Sequence, residues 1–279
     1  MPIGDFSRIN TNLQGLQTLQ ALKSLNTQLG LTQLRLATGR RITEVSDDPA
    51  GFTISKNFDA RARGLSVALD NVGQAKNLLS IAEGGLQNIS NILVTMREKV
   101  TQAASDTLGT NERNAIETQL DDLAAEIDNI VTETTFNSVK LLDGTYTGKV
   151  FQTGANAADS FAFAITQNSG ASSLTVADTD LVVTSAANAT SSLAKVNTAI
   201  DTINNALQSI GSTTARLSIK ESTLSIAITN TQAARSRILD ADVAREQLEA
   251  TKLQILQQLA TAQLAQANLS SQGLLALFQ

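Results

Sequence analysis

From Ala75 the apolar residues Ala75, Leu79, Ala82, Leu86, Ile89, Leu93, Met96 and Val100 follow one another at steps of four and three without a break. That spacing is the seam of a coiled coil and leaves the chain little choice of fold. Proline occurs only at positions 2 and 49, so nothing beyond Pro49 interrupts a helix in the way proline does. Asp48 is a good N-cap, and Pro49 suits the first helical position. A helix from Pro49 to about Ala104 would run roughly 80 Å at 1.5 Å per residue. Its glycines, Gly64, Gly73, Gly84 and Gly85, weaken it, so neighbouring helices must hold it.

The same periodicity extends on both sides. At the start, Ile9, Leu13, Leu16, Leu22, Leu25 and Leu29 predict a first helix that ends near Gly39. After the turn "SDTLGTNE", a third helix is expected on Ile116, Leu120, Leu123, Ile127 and Ile130. Its outer face carries Glu117, Asp121, Asp122, Glu126 and Asp128, a solvated face before it is a metal or basic-partner site. A return helix uses Val196, Ile200, Ile203, Leu207, Ile210, Thr214 and Leu217, with Glu221 the one charge in its seam. Its expected continuation is Leu248, Lys252, Ile255, Leu259, Ala262, Gln266 and Leu269. Between the third and return helices, Tyr146, Val150, Phe151, Phe161, Phe163 and Ile165 flank a Gly/Asn/Ala turn, which predicts a β-hairpin over about 146–167. The Ser/Thr/Ala-rich stretch at about 168–192 reads as a short variable surface loop with room for one more short strand. The expected fold is therefore mainly α, a long-helix hairpin or coiled-coil bundle with a small β-hairpin region, in which the two ends of the chain meet.

The chain has no cysteine and no histidine, which removes thiolate chemistry, His-based zinc sites and His general bases. No constellation points to catalytic residues, a cofactor or a metal. Asp240, Asp242 and Glu246 in "LDADVARE" suit a helix start, where the dipole favours carboxylates. A net charge of -5 without a basic cluster points away from nucleic acid. The start "MPIGDFSRINTNLQ" lacks the features of a cleaved signal peptide. The other end, "QILQQLATAQLAQANLSSQGLLALFQ", has the length of a membrane span but too many glutamines to be one. No charged residue follows Lys252. Ordering a helix costs about 1–2 kcal/mol per residue in backbone entropy. A charge-poor helix recovers that best when copies of the chain surround it, so self-assembly is the expected role.

Several stretches resemble the bacterial flagellins. "LATGRRITEVSDDPAGFTISKNFDARARGL", "LLSIAEGGLQNISNILVTMREKVTQAA" and "EIDNIVTETTFNSVKLLDG" are similar to the family's N-terminal region. "RSRILDADVARE" and the closing stretch are similar to its C-terminal signature. The resemblance covers about residues 1–165 and 195–279. The related hook–filament junction adaptor is the alternative. The resemblance implies a terminal coiled coil (D0) of residues 1–44 plus 236–279, and a helical core (D1) of residues 45–235. It assigns D0 packing to Leu13, Leu16, Leu22, Leu25, Leu29, Leu248, Ile255, Leu259, Ala262 and Leu269. It assigns D1 packing to Leu79, Leu86, Ile89, Leu93, Met96, Ile116, Leu120, Leu123, Ile127, Ile200, Ile203, Leu207 and Ile210. Large outer domains would be absent, and the return helix about one heptad shorter than in enteric proteins, which keeps the seam in phase. The implied function is a homopolymer: the flagellar filament, extracellular, used for swimming. The implied partners are the chain itself, an export chaperone at the C-terminal helix, and the filament cap and hook-junction proteins, with export unfolded through the flagellar type III channel. The family's patch for Toll-like receptor 5 lies in the stretch matching "ILVTMREKV". Arg97 and Glu98 match it, but Thr95, Lys99 and, on the facing helix, Gln119 depart from it, so weak recognition is expected.

Overall fold

The structure is a computed structural model and describes residues 11–276, with side chains described to Leu269. The expected periodic residue Ile9 lies outside these. Among the described residues the order is α1 (Leu13–Thr38), α2 (Pro49–Ala103), α3 (Thr110–Glu133), β1 (Thr135–Phe136), β2 (Val139–Lys140), β3 (Tyr146–Gln152), β4 (Ser160–Ile165), α4 (Ala186–Leu239) and α5 (Val243–Ala276). The mainly helical fold with small antiparallel strand pairs is the one the periodicity predicts. Two compact units divide the chain. One runs up to Ala60 and resumes at Asn230; the other is Arg61–Thr229. The expected boundaries at 44/45 and 235/236 differ from these, because the first turns of α2 and the last turns of α4 belong with the terminal helices. Within that unit the Arg235 guanidinium meets the Asp59 carboxylate at 3.0 Å.

The Arg61–Thr229 unit is built on the seam of α2, whose residues from Ala75 to Val100 at the four-three positions are all buried. Against it lie Ile116, Leu120, Ala124, Ile127 and Val131 of α3, and Val196, Ala199, Ile203, Ile210, Leu217 and Leu224 of α4, in one continuous core. Leu123, Ile200 and Leu207 are half-buried at its margin. The seam charge Glu221 is met by Lys76, whose Nζ donates to its carboxylate at 2.7 Å. Gly85 is required by close packing: a Cβ there would lie 2.7 Å from the Thr134 side chain and 2.8 Å from that of Leu142.

β3 and β4 pair antiparallel, Phe151 opposite Phe161 and Lys149 opposite Phe163, with a bulge between Tyr146 and Lys149. Tyr146 and Phe151 each pack on Phe163, ring centroids 5.6 and 5.7 Å apart. A second, shorter hairpin, β1–β2, was not expected. Its turn is made by Asn137 and Ser138, both at positive φ (50° and 64°). That is the geometry a two-residue hairpin turn demands, here without glycine.

The expected surface loop at 168–192 is corrected in two respects. α4 already begins at Ala186. The segment before it, 166–185, contains no strand, and it is packed rather than free: Ser169, Ala171, Leu174, Val176, Leu181 and Val183 are buried. Its small and apolar residues alternate closely enough to enter the core, while Ser172, Ser173, Thr175 and Thr179 stay outside. The backbone N–H of Ala171 donates to Asp128 on α3 at 2.8 Å, and Lys195 Nζ donates to the Asp180 carbonyl at 2.6 Å.

Candidate assembly interface

The terminal unit is formed by α1 and α5 and the connectors that lead to them. Asn12 caps α1, its Oδ1 accepting from the Gly15 N–H at 2.8 Å. Gly39 ends the helix at φ +66°, a conformation glycine takes without steric cost. Asp48 accepts from Gly51 N–H at 2.9 Å and caps α2, and Asp242 accepts from Ala244 and Arg245 N–H and caps α5. The return helix therefore does not continue straight into the tail: residues 240–242 interrupt it. The interruption lies beside the α1–α2 connector. Arg41 N–H donates to the Leu239 carbonyl at 2.7 Å, and Ala241 N–H to that of Gly39 at 2.9 Å. The Asp47 carboxylate takes N–H donors from Thr43 and Glu44, which hold its pKa below the ordinary 3.8, with the Arg35 guanidinium 3.6 Å away adding to the effect.

α1 turns Gly15, Thr18, Leu22, Leu25, Leu29, Thr32 and Leu36 inward, a three-four alternation. α5 answers with Glu246, Ala250, Leu253, Gln257, Ala260, Leu264 and Ala267. Leu29, Ala250 and Leu253 are the buried centre, with Leu25 and Leu36 against it. Two polar clamps set the register. Asn12 Nδ2 donates to the Ala267 carbonyl at 2.9 Å, and Gln257 Nε2 donates to Asn26 Oδ1 at 2.7 Å.

This seam on α5 is not the expected one. Of the residues assigned to D0 packing, Leu22, Leu25 and Leu29 lie on the shared face. Leu13, Leu16, Leu248, Ile255, Leu259, Ala262 and Leu269 are exposed. The expected and observed α5 registers differ by two positions, about 200° around a helix. Both registers repeat every seven residues, and the one that wins carries the smaller side chains Ala250, Ala260 and Ala267, which let the helices approach closely. The larger side chains are left outward: Leu248 is 74% exposed, Leu259 and Leu269 58%, and Ile255 54%. On α1 the outward set is Leu13, Leu16, Leu19, Leu31 and Leu34. Leu13 and Leu31 are eighteen residues apart, five whole turns, as are Leu16 and Leu34, so each pair lies on one line along the helix. Two helices thus cover one face of each other and present a second apolar face each. Exposed apolar patches of this kind mark an interaction surface.

The other site residues are placed as follows. Leu79, Leu86, Ile89, Leu93, Met96, Ile116, Leu120, Ile127, Ile203 and Ile210 are buried in the Arg61–Thr229 core. Thr95 and Gln119 are exposed and Lys99 is half-buried. Among the described residues no helix is long and apolar enough to cross a membrane, and no group of three acidic side chains is disposed to hold a metal ion. Asn12, Asn26 and Gln257, which no periodicity argument singled out, align the helix pair. For Gln257 the signal that could have found it is an amide at a seam position; Asn12 is the α1 N-cap and Asn26 is exposed beside the seam.

Comparison with known proteins bears on what this surface serves. Residues 9–147 match the bacterial flagellin N-terminal helical region, and residues 193–278 match the C-terminal helical region. The chain is 34% identical to the flagellin of Bacillus subtilis, over 98% of this chain and 100% of that protein. It is 32% identical to the flagellin of Listeria monocytogenes, over 96% and 98% respectively. A putative flagellar hook-associated protein from Vibrio parahaemolyticus shares the fold, with a TM-score of 0.58 and 16% identity over 70% of this chain and all of that one.

Proposed function

The chain belongs to the bacterial flagellin family, and we propose that it polymerises through the outward faces of α1 and α5. Flagellins are structural proteins rather than enzymes, and this chain is a structural subunit of the extracellular flagellar filament. One observation carries the proposed mode of assembly: the larger apolar side chains of α5 lie on the face that α1 does not cover. Burying a leucine fully is worth about 1.5–3 kcal/mol, and the intramolecular seam leaves much of that unused. Copies packed around each helix pair would recover it. Charges on these faces are few, Lys252 on α5 and Lys23 on α1, so packing the leucines beside them costs little desolvation provided the two ammonium groups keep water or a carboxylate such as Glu249.

The remaining steps follow from the resemblance together with this surface. Before assembly the outward faces need cover, which suits an export chaperone on the C-terminal helix and passage of an unfolded chain through the flagellar type III channel. Cap and hook-junction proteins would meet the same faces at the two ends of a filament. Thr95, Lys99 and Gln119, in place of the family's receptor-contacting residues, support weak recognition by Toll-like receptor 5. Negative-stain microscopy of the purified chain under polymerising conditions tests the central proposal. Long filaments are expected; a folded chain that adds to filament ends but makes none alone would indicate the junction adaptor instead.

A further inference from the structure

Gly30 stands in the outward face of α1 for no reason internal to the chain. It is helical, and its φ is not among the positive values that call for glycine. A Cβ built there meets nothing within 4 Å. Alanine would fit and would favour the helix, so glycine here weakens α1 unless something outside the chain comes close. Thr27, Gly30, Leu31 and Leu34 have the spacing of four residues that frame a hole for one side chain of a facing helix. All four are exposed, Leu31 at 37% and Leu34 at 41%. The missing Cβ deepens the hole beside the two leucines.

The charge pattern identifies what fills it. Lys23, seven residues before Gly30, is the charged residue in line with it. On α5 the outward face has Leu259 at its middle, with Lys252 seven residues before and Gln266 seven after. A parallel approach that seats Leu259 over Gly30 puts Lys252 on Lys23, cation against cation. An antiparallel approach puts Gln266 opposite Lys23, where the amide oxygen accepts from the ammonium. It also brings Lys252 to Ala37 in the last turn of α1, where the carbonyl end of the helix favours a cation. A second α1 in place of α5 would bring another Lys23. It also has no large side chain to offer, since Gln20, Lys23, Thr27 and Gly30 occupy the middle of its outward face.

We infer that Gly30 is the floor of a socket that receives Leu259 from α5 of another copy of the chain, the two helices running antiparallel. This rests on the proposed assembly through the outward faces and adds which helices meet, in which direction and at which residues.

Gly30→Ala tests the socket, because its two effects have opposite signs. In the unassembled full-length chain the methyl group has room, so hydrogen-exchange protection along α1 should rise about two- to five-fold. In the polymer the methyl meets Leu259, and the critical concentration read by sedimentation should rise about five-fold or more. A critical concentration at or below that of the wild type overturns the socket, since a firmer α1 alone favours assembly. Leu34→Asp separates that result from a failure of the assembly reading. If Leu34→Asp blocks filaments while Gly30→Ala does not raise the critical concentration, the face stands and the socket falls. If both variants assemble as the wild type does, both fall. The chain has no cysteine, so two single-cysteine chains co-polymerised and treated with a short bismaleimide report the partner. Leu34→Cys chains should cross-link to Ile255→Cys chains, each position being four residues from the centre of the antiparallel contact. Cross-linking of Leu34→Cys to Gln263→Cys instead would show a parallel approach, and cross-linking of Leu34→Cys chains only to one another a second α1. Either result overturns the proposal.

Discussion

Leu259 and Leu253 lie on opposite faces of α5, and replacing each separates packing within the chain from packing between chains. Leu253 is 3% exposed against Leu29 and Ala250. Leu253→Ala should cost about 2–3 kcal/mol, the low end for a buried leucine because the cluster is thin and can partly collapse. Leu259 is 58% exposed. Its replacement by alanine should change the stability of the unassembled chain by no more than about 0.5 kcal/mol. In a polymer the same change removes roughly 1–2 kcal/mol of burial per subunit. Because 1–2 kcal/mol corresponds to a factor of about 5–30, the critical concentration should rise by that factor. Leu259→Asp adds the burial of a charge, several kcal/mol more, and should abolish filaments. Thermal melts followed by circular dichroism report the first quantity, and sedimentation of polymer against total protein the second. A Leu259→Asp chain that polymerises at the wild-type critical concentration refutes the assignment of this face. A Leu259→Ala chain that loses 2 kcal/mol or more before assembly would show the leucine packed within its own chain.

Other consequences can be checked independently. Asn12→Ala removes both the α1 cap and the donor to Ala267, and should cost about 1–2 kcal/mol, read as lost hydrogen-exchange protection in the first turns of α1. Ile89→Ala, at a fully buried seam position, should cost about 2–5 kcal/mol in an equilibrium denaturation of the Arg61–Thr229 core. The Asp47 carboxyl is held below 3.8, first by the Thr43 N–H and then by that of Glu44. Its contribution is present above 3.8 and lost as pH falls through the lowered value, so Asp47→Asn should flatten the acid limb of the stability profile. In a reporter-cell assay with the monomer, Toll-like receptor 5 activation should be weak; potency equal to that of enteric flagellins would contradict the roles given to Thr95, Lys99 and Gln119.

The α2 seam could be read from the chain because a single apolar register runs through it and every rival face is interrupted by charge, as at Arg97 and Glu98. The α1–α5 pairing could not. α5 carries two seven-residue registers, one rich in leucine and isoleucine, the other in alanine, and periodicity alone favours the bulkier. Close approach at Ala250 and Ala267, fixed by amide clamps from Asn12 and Gln257, reverses that choice. The β1–β2 hairpin was invisible because its turn uses Asn137 and Ser138 at positive φ where glycine is the usual signal. Segment 166–185 has the composition of a surface loop. Only three-dimensional proximity shows that Leu174, Val176 and Leu181 reach the core and that Asp128 tethers Ala171.

The central claim is that the outward faces of α1 and α5 pack between copies of the chain. A cryo-EM map of filaments grown from the purified protein tests it most directly. The account predicts Leu248, Ile255, Leu259 and Leu269, together with Leu13 and Leu16, in contact with neighbouring subunits. The Leu29–Leu253 seam should remain within each chain. Filaments in which those outward leucines face solvent, and other surfaces hold the subunits together, would contradict it.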